Sequence, residues 1–320
     1  MEQKTVIPVF FTIDEKYAPY LAVAAHSLIE NASQDYQYKI IVLHEDVSAE
    51  TQAQIRLLER PWAQIEFVPM QQCFETIHDH ISNRLRADYF TMTIYFRLLI
   101  PDMFPQYDKG IYIDSDVVVP GDISEMYGID LGDNLLGVCR DHSIHHIPEL
   151  VHYITDAIGA GKERYFNSGV LLMNLKRLRE LHLATRFIEV LNRWHFDCIA
   201  PDQDYLNALC MGQVVYMDRR WDTMPNRSEQ EIKDPLLIHY NLFEKPWLYD
   251  GIQYADYFWK YAADSGYMEW LQDYKRNYSD EQKQADRESL MRLVQRAEQI
   301  ASMPDNFRAV FSSGREKRLL

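Results

Sequence analysis

The sequence predicts an α/β protein with a doubly wound, mostly parallel sheet and a C-terminal helical extension. Short apolar runs typical of buried strands alternate with helical segments through residues 1–250. Residues 251–320 instead carry aromatic and charged helical segments. Hydrophobic residues make up 47% of the 320-residue chain, which is enough for a large core in one or two domains. We therefore expect a domain at residues 1–250 and an extension at 251–320 that packs on it.

The first part of the chain alternates three predicted strands with two predicted helices. The strands are short apolar runs at residues 6–13, 38–44 and 64–69. The first helix has apolar residues at helical spacing, and the second begins at the capping residue Ser48; they cover residues 17–29 and 48–58. This order of elements favours parallel strands in one sheet.

The middle of the chain continues the alternation. Helices are predicted at residues 91–99, where Pro101 ends the helix, and at residues 183–193 and 203–211. Strands are predicted at residues 110–119, 134–140, 168–175, 213–217 and 235–239.

The C-terminal segment is predicted to be helical and to pack through aromatic side chains. The residues expected to contact the preceding domain are Tyr254, Tyr257, Phe258, Tyr261 and Trp270. Ser279 and Gln282 form the pattern of a capping box for a helix that ends at Ile300. The basic tail at residues 314–320 is expected to be a frayed terminus; peripheral contact with an anionic membrane is the alternative.

Composition excludes some classes of partner. The formal net charge is −15, from 48 acidic and 33 basic residues, so a nucleic-acid partner is not expected. The four cysteines form no C-x-x-C pair, and we expect reduced thiols. Neither a signal-peptide pattern nor an apolar run of about 18 residues is present, which favours a cytoplasmic protein, with the inner face of the cell membrane as its only membrane contact.

The run GIYIDSDVVV at residues 110–119 contains the pair of aspartates that is most informative about function. If it is one strand, Asp114 and Asp116 share a face about 7 Å apart, at an edge of the sheet where ligands of α/β proteins bind. Two carboxylates there repel each other and are costly to bury unless a positive charge lies between them. The pattern therefore favours a divalent cation, which would also allow a phosphorylated ligand. Two solvated aspartates that close the strand into a turn are the alternative.

Six segments together resemble the family 8 glycosyltransferases, retaining enzymes that use sugar nucleotides. The segments are FFTIDEKYAPYLAVAAHSL (10–28), YFRLLIPDMF (95–104), IYIDSDVVVPGDI (111–123), YFNSGVLLMNL (165–175), PDQDYLNALC (201–210) and IHYNLFEKPW (238–247). They occur in the family's order and cover most of residues 1–250. The resemblance implies a GT-A fold in which residues 1–250 form the nucleotide-sugar-binding catalytic domain.

The resemblance implies that Asp114, Asp116 and His239 bind a divalent metal, usually Mn²⁺, with Mg²⁺ as the alternative. Two carboxylates and one imidazole suit Mn²⁺, whereas Mg²⁺ favours oxygen ligands and retained water. Outside this motif, His239 would be assigned to the core. Lys245 is implied to pair with the leaving diphosphate, with a solvated surface lysine as the alternative. At the position of Leu242 the family often has glycine, and there the backbone approaches the phosphate. This chain therefore departs from the family's motif at that position.

The resemblance also implies the residues that bind the donor. Those assigned to the nucleotide or its sugar are Thr12, Asp14, Tyr17, Arg97, Ser115, Asp141, Asn167, Asp202 and Gln203, with Asp202 and Gln203 as the catalytic pair. Asp14 would bind the uracil and Tyr17 would stack on it, although Tyr17 could equally be a packing residue at a helix start. Arg97 lies in an apolar helix, so it either reaches the donor or pairs with a structural carboxylate.

The predicted reaction moves galactose or glucose from a UDP-sugar to a hydroxyl of a carbohydrate or glycoconjugate acceptor, with retention of configuration. An amide is a poor nucleophile, so same-face attack with Gln203 stabilising positive charge is favoured over double displacement. Two other functions stay open: a haloacid-dehalogenase-like phosphatase with Asp114 as nucleophile, and a non-catalytic protein that binds UDP-sugars. The acceptor is expected at residues 71–96 and the C-terminal helices, without a motif that identifies it.

Overall fold

The computed structural model describes residues 4–70, 96–243 and 245–319, and all structural statements concern these residues. A seven-stranded sheet has the order β3-β2-β1-β4-β7-β6-β8. Its strands are β1 (Val6–Ile13), β2 (Gln37–His44), β3 (Ala63–Pro69), β4 (Gly110–Ile113), β6 (Leu136–Arg140), β7 (Phe166–Met173) and β8 (Val214–Tyr216). Only β7 runs against its neighbours in this sheet, so the prediction of a mostly parallel sheet is confirmed.

Helices cover the sheet and form the C-terminal part of the described chain. They are α1 (Ala18–Asn31), α2 (Ala49–Arg56), α3 (Phe96–Met103), α4 (Ile123–Tyr127), α5 (Pro148–Tyr153), α6 (Leu175–Glu180), α7 (Leu183–Trp194), α8 (Pro201–Cys210), α9 (Ala255–Ala262), α10 (Met268–Asn277), α11 (Asp280–Ala301) and α12 (Phe307–Ser312). None of the helices in the described ranges is both long and apolar enough to span a membrane.

The core lies on both faces of the sheet. Along β1, Phe10 belongs to the apolar cluster on one face, and its neighbours Val9 and Phe11 belong to the cluster on the other. This period of two explains why the central strands have continuous apolar sequences: both of their faces are buried. A third cluster joins α1 to the C-terminal helices through residues such as Tyr20, Trp247 and Phe258.

The prediction of one strand across residues 110–119 was wrong. The chain forms β4, then leaves the large sheet, and pairs as β5 (Val117–Val118) with β9 (Ile238–His239) in a separate two-stranded sheet. The Asp114 amide still donates to the Gly169 carbonyl (2.8 Å), whereas the Asp116 carbonyl already accepts from Tyr240 (2.9 Å). The partner strand therefore changes within the aspartate pair, and a turn rather than strand alternation brings the two carboxylates together.

The predicted end of the α3 helix was also wrong. Pro101 lies inside α3, and the amide of Phe104 still donates to the carbonyl of Ile100 (3.1 Å). The proline removes one backbone donor, but only two helical residues follow it, so the loss is small. The predicted start of this helix, at residues 91–95, lies outside the described residues, as does most of the segment expected to bind the acceptor.

The C-terminal helices agree with the sequence at the capping box and at most aromatic positions. Ser279 accepts from the Gln282 amide, and the Gln282 side chain accepts from the Ser279 amide. Phe258 and Tyr261 are buried, and Tyr254 and Tyr257 pack on the same cluster. Trp270 differs, because 44% of it is exposed; it meets Tyr20 in an edge contact and stacks on Tyr274 of its own helix.

The expectation of a frayed tail was wrong. Glu316 is 5% exposed and accepts from Arg186, from Arg193 (2.9 Å) and from the Trp194 indole (3.0 Å), all on α7. The amide of Leu319 donates to Leu209 at 3.0 Å, and the Leu319 side chain is buried. The tail is thus fixed to α7 by the ion pairs of the buried Glu316 and to α8 by a backbone hydrogen bond, which local composition could not reveal.

Candidate active site

Asp114, Asp116 and His239 converge where the large and small sheets meet. One ligand atom of each lies within 4.8 Å of the others. Asp114 follows the last residue of β4, Asp116 precedes β5, and His239 ends β9 directly opposite Val117. The pairing of β5 with β9 therefore brings the histidine to the aspartates across more than a hundred residues of sequence.

A third carboxylate, which sequence reasoning missed, orients the histidine. Asp222 Oδ1 lies 3.1 Å from His239 Nδ1, so that Nε2 points to Asp116 Oδ1 at 3.2 Å. Burial lowers the pKa of His239, but Asp116 and Asp222 outweigh it and raise the pKa to about 10. Burial raises the pKa of Asp222 to about 6. The backbone places Asp222 here, since the next residue, Thr223, accepts from the His239 amide at 2.8 Å.

Lys245 supplies a buried cation beside the aspartates. Its ammonium pairs with Asp116 Oδ2 and donates to the Tyr240 carbonyl, and the residue is 4% exposed. Burial alone would raise the pKa of Asp116, but Lys245 and His239 lower it strongly. Leu242, which replaces the expected glycine, has φ of +54°, a left-handed conformation that glycine adopts with least strain. The departure in sequence therefore leaves a glycine-like backbone.

Arg97 connects the metal-ligand candidates to helix α8. Its guanidinium lies 2.9 Å from Asp114 and 3.1 Å from Asp202, and it donates to the Ser168 carbonyl at 2.6 Å. It also stacks over the Tyr112 ring, 4.4 Å from the centroid. The pKa of Arg97 is raised by these two carboxylates in spite of burial. The structure thus shows the carboxylate pairing that the sequence left as one of two alternatives.

Tyr112 links the first strand to the same network. Its hydroxyl donates to Asp114 Oδ1 (2.6 Å) and lies 2.8 Å from Thr12 Oγ1. Thr12 is therefore two hydrogen bonds away from the metal-ligand candidate. Asp14 caps the short 3-10 helix Glu15–Tyr17, and its Oδ1 accepts from the Tyr17 amide at 3.0 Å. Tyr17 packs against the edge of Tyr20, with ring centroids 5.5 Å apart.

A buried polar cluster lies at the start of β7 and α8. The Gln203 amide donates to Asp141 Oδ2 at 2.9 Å and accepts from the Ser168 amide at 3.0 Å. Asn167 donates to the same Asp141 oxygen at 3.4 Å. Asp202 Oδ1 is buried and has no hydrogen-bond partner among the residues described. The structure therefore brings Asp141, Asn167, Asp202 and Gln203 together, as predicted, and adds Ser168, which the sequence did not single out.

Ser115 lies between the two aspartates and is 5% exposed. It lies in the turn between β4 and β5 rather than within the strand that the sequence predicted. The cysteines at residues 139, 198 and 210 are buried and free, as expected for reduced thiols. Cys73 lies outside the described residues.

Comparison with known proteins decides the family. The profile of the family described as Glycosyl transferase family 8 matches residues 8–251, more than half of the chain. The chain belongs to glycosyl transferase family 8. Family membership establishes a sugar transferase.

Similar proteins from bacteria are named as glycosyltransferases. A putative glycosyltransferase of Haemophilus influenzae is 29% identical over 231 residues, which cover 72% of this chain and 67% of the relative. A lipopolysaccharide 1,2-glucosyltransferase of Escherichia coli is 25% identical over 276 residues, covering 81% of this chain and 78% of the relative.

Solved structures show the same architecture. The galactosyltransferase LgtC, solved with donor and acceptor sugar analogues, is 27% identical with a TM-score of 0.67, covering 80% of this chain and 95% of LgtC. The bifunctional glycosyltransferase WbbM has a TM-score of 0.72 at 22% identity; the match covers 87% of this chain and 53% of WbbM, and it speaks for the fold alone. The predicted GT-A fold is confirmed by these neighbours.

The Asp114, Asp116 and His239 set of this family 8 chain is a possible divalent-metal site, and the backbone around it fits an ion. A Cβ added to Gly169 would lie 2.4 Å from His239 Cε1 and 2.6 Å from Asp114 Oδ2. Any side chain at residue 169 would therefore displace two of the three candidate ligands. Hard carboxylate oxygens with one imidazole are a donor set that a divalent ion such as Mn²⁺ accepts.

Proposed function

We propose that this family 8 enzyme transfers galactose or glucose from a UDP-sugar to a hydroxyl of a carbohydrate or glycoconjugate, with retention of configuration and with a divalent metal, Mn²⁺ or alternatively Mg²⁺. The observation that carries the proposal is the convergence of Asp114, Asp116 and His239 beside the buried ammonium of Lys245. Carboxylates suit a cation, and a lysine beside them suits a ligand that brings its own negative charge. A metal-bound diphosphate meets both conditions.

Asp114, Asp116 and His239 would hold the metal. When bound, the ion supplies positive charge that stabilises the departing diphosphate. Asp222 keeps the Nε2 face of His239 directed at the site, because the Nδ1 face is occupied by the Asp222 carboxylate. Lys245 pairs with Asp116 in the metal-free protein. Once a metal binds the Asp116 carboxylate, the Lys245 ammonium would pair with the diphosphate instead.

The polar cluster at α8 would hold the transferred sugar. Asp141, Asn167 and Gln203 form one connected set of donors and acceptors, and Asp202 has a buried oxygen without a partner in the described chain. A hexose hydroxyl would satisfy that oxygen. The Gln203 amide is fixed at both ends by Ser168 and Asp141 and carries no charge, so it would stabilise a developing positive charge rather than attack it. Same-face substitution is therefore the favoured route to retention.

The nucleoside would lie at the end of β1. Thr12, Asp14 and Tyr17 follow one another at this edge, with Asp14 directed to the base and Tyr17 stacked on it. Ser115 would contact the nucleotide from the turn between the aspartates. Residues 1–250 would form the catalytic domain, in keeping with a family match that ends at residue 251, and residues 251–320 would form the extension.

Calorimetry and turnover assays test the proposal. Binding of UDP, UDP-glucose, UDP-galactose and UDP-GlcNAc should be measured with and without Mn²⁺, followed by UDP release with and without glycan acceptors. We expect binding that depends on Mn²⁺ and is lost in Asp116→Asn, with release of UDP from UDP-galactose or UDP-glucose. The matched control is Asp122→Asn, a helix-capping aspartate six residues away.

Each alternative has its own signature in this experiment. Metal-dependent UDP binding without release of UDP would identify a non-catalytic UDP-sugar-binding protein. Hydrolysis of p-nitrophenyl phosphate without any sugar nucleotide, abolished by Asp114→Asn, would identify a phosphatase and overturn the proposal. Trapping of a stable glycosyl–enzyme adduct with a fluorinated donor would contradict same-face substitution while leaving sugar transfer intact.

A further inference from the structure

A second cluster of metal-ligating side chains lies outside the Asp114, Asp116 and His239 set. It consists of His142, His145 and Glu229, with one ligand atom of each within 4.8 Å of the others. His142 begins a 3-10 helix whose last residue is Ile144, and His145 is its C-cap. Side chains three residues apart are eclipsed on a 3-10 helix, so the H-x-x-H spacing directs both imidazoles to the same side.

Glu229 presents one oxygen to the two imidazoles. Its Oε2 pairs with Arg219 at 2.7 Å, which leaves Oε1 facing His142 Nδ1 at 3.6 Å. That separation is too long for a hydrogen bond. Arg219 thus fixes the carboxylate in the way that outer hydrogen-bond partners fix metal ligands.

The imidazole nitrogens at this cluster are available. His142 Nδ1 and His145 Nε2 are buried and have no hydrogen-bond partner in the part of the chain that is described. Buried polar atoms are seldom left in this state. Burial lowers the pKa of both histidines; the charge of Arg219 adds to this for His142, and the His142 ring adds to it for His145. The two unpartnered nitrogens are therefore candidate metal ligands on geometric grounds.

We propose that His142, His145 and Glu229 form a second metal site, specific for Zn²⁺ or a similar borderline transition-metal ion rather than for Mn²⁺. Two imidazoles and one carboxylate are a donor set of zinc proteins, with water in the fourth position, and imidazole ligands favour Zn²⁺ over Mn²⁺. Ligand atoms around tetrahedral Zn²⁺ lie about 3.4 Å apart when the bonds are about 2.1 Å. The three ligand atoms, which lie within 4.8 Å of one another, would move closer to that spacing when an ion binds.

Occupation of this site joins two segments that border the candidate sugar pocket. The turn that carries the histidines begins at Asp141, whose Oδ2 accepts from Gln203. The segment that carries Glu229 is attached to the same turn by Asn226, which donates to the His142 carbonyl at 3.0 Å. A bound ion would therefore hold Asp141 in place against Gln203 without contacting either side chain.

Metal titration tests the proposal on the full chain. In an Asp116→Asn/His239→Gln background, which removes the first site, Co²⁺ should produce the visible absorption of a low-symmetry, nitrogen-ligated ion, and Zn²⁺ should displace it at one equivalent. His145→Gln and Glu229→Gln should each weaken Zn²⁺ binding by at least about 100-fold, the upper end of what loss of an outer partner costs. The matched control is His146→Gln, an exposed neighbour outside the cluster, which should bind Zn²⁺ as the background does.

A second measurement guards against a background variant that folds poorly. In equilibrium dialysis the wild-type chain should bind one equivalent of Zn²⁺ more than His145→Gln and as many as His146→Gln, and Zn²⁺ should raise the Tm of wild type more than that of His145→Gln. Equal binding by the wild type and His145→Gln would overturn the proposal. That result would not affect the proposed transfer reaction, which depends on the first set of ligands.

Discussion

Replacement of Asp222 by asparagine should weaken divalent-metal binding at Asp114, Asp116 and His239. The Asp222 carboxylate is fully buried, and its Oδ1 lies 3.1 Å from His239 Nδ1. Asparagine has nearly the same shape and can still accept from Nδ1 through its carbonyl oxygen. The change therefore removes the charge behind the imidazole while the ring keeps its orientation.

The expected magnitude follows from the histidine. Despite burial, Asp116 and Asp222 raise the pKa of His239 from 6.5 to about 10, which corresponds to roughly 5 kcal/mol in favour of the positively charged ring. Asp116 is the larger cause, so Asp222 contributes at most about half of this, roughly 2 kcal/mol in favour of positive charge at this position, or at most about 30-fold in a binding constant. This lies within the 10- to 100-fold that outer partners of metal ligands contribute.

The assay is a titration of apoprotein with Mn²⁺, in which free ion is quantified by electron paramagnetic resonance. Asp218→Asn is the matched control, because Asp218 caps the same 3-10 helix (Arg219–Asp222) but is half exposed and forms its ion pair with Arg220. Asp222→Asn should bind Mn²⁺ about 10- to 100-fold more weakly, and Asp218→Asn should bind as wild type. Equal affinity in wild type and Asp222→Asn would refute the assigned role of Asp222 and the assignment of His239 as a ligand.

Three further substitutions test neighbouring parts of the structure. Gly169→Ala should weaken Mn²⁺ binding by at least about 10-fold, because the added Cβ would displace two ligands. Gly128→Ala is the control and should bind Mn²⁺ as wild type, since its added Cβ meets only ordinary contacts. Equal Mn²⁺ affinities of Gly169→Ala and wild type would contradict the role of Gly169. Lys245→Met should strengthen binding of Mn²⁺ alone, since the ion no longer competes with the ammonium for Asp116. In saturating Mn²⁺ the same variant should bind UDP about 10-fold or more weakly. Calorimetry that shows both affinities changing in the same direction would argue against this role of Lys245. Burial raises the pKa of Asp204 from 3.8 to about 7. Between about pH 4 and 7 the folded protein therefore holds a proton on Asp204 that the unfolded chain has released. The free energy of unfolding that Asp204 contributes consequently falls as the pH rises through this range. Relative to wild type, Asp204→Asn should therefore gain roughly 4 kcal/mol in free energy of unfolding from pH 4 to 8, whereas a difference between the two proteins that does not vary with pH in urea titrations would exclude the raised pKa.

The sequence predicted the parts of the fold that depend on local pattern. Continuous apolar runs identify β1 and β2 because both faces of these strands are largely buried, so no partner is needed to recognise them. In β3, buried and exposed residues alternate, which is the pattern of a strand with one covered face. The capping box at Ser279 was predictable for the same reason, since both of its bonds lie within four residues. The candidate site residues were found through combined motifs rather than through any one residue.

What the sequence could not show are features set by distant pairing. The break after β4 arises because Val117 pairs with His239, and nothing within residues 110–119 marks that change of partner. Asp222 is brought beside His239 by backbone hydrogen bonds between the two segments, such as the one from the His239 amide to the Thr223 carbonyl. Glu316 is buried by side chains on α7 that lie more than a hundred residues away, so a short basic tail was mistaken for a free end.

The structure also changes the argument for a metal. On sequence grounds, the repulsion between Asp114 and Asp116 favours a cation between them. In the folded chain each has its own protein cation: Arg97 lies against Asp114, and Lys245 with His239 lies against Asp116. The metal-free site is therefore electrostatically stable, and an entering ion must displace part of this pairing.

That competition makes metal and nucleotide binding interdependent. A diphosphate brings negative charge that Lys245 can pair with as it leaves Asp116, so UDP lowers the cost of metal entry, and by linkage the metal strengthens UDP binding by the same factor. We expect Mn²⁺ to bind at least about 10-fold more tightly when UDP is present, as typical couplings are 1–3 kcal/mol. Lys245→Met should remove most of that difference, whereas Arg97 should not be exchanged, because Asp202 and Ser168 also hold it. Identical Mn²⁺ affinities with and without UDP in the wild-type enzyme would show that the lysine does not change partners.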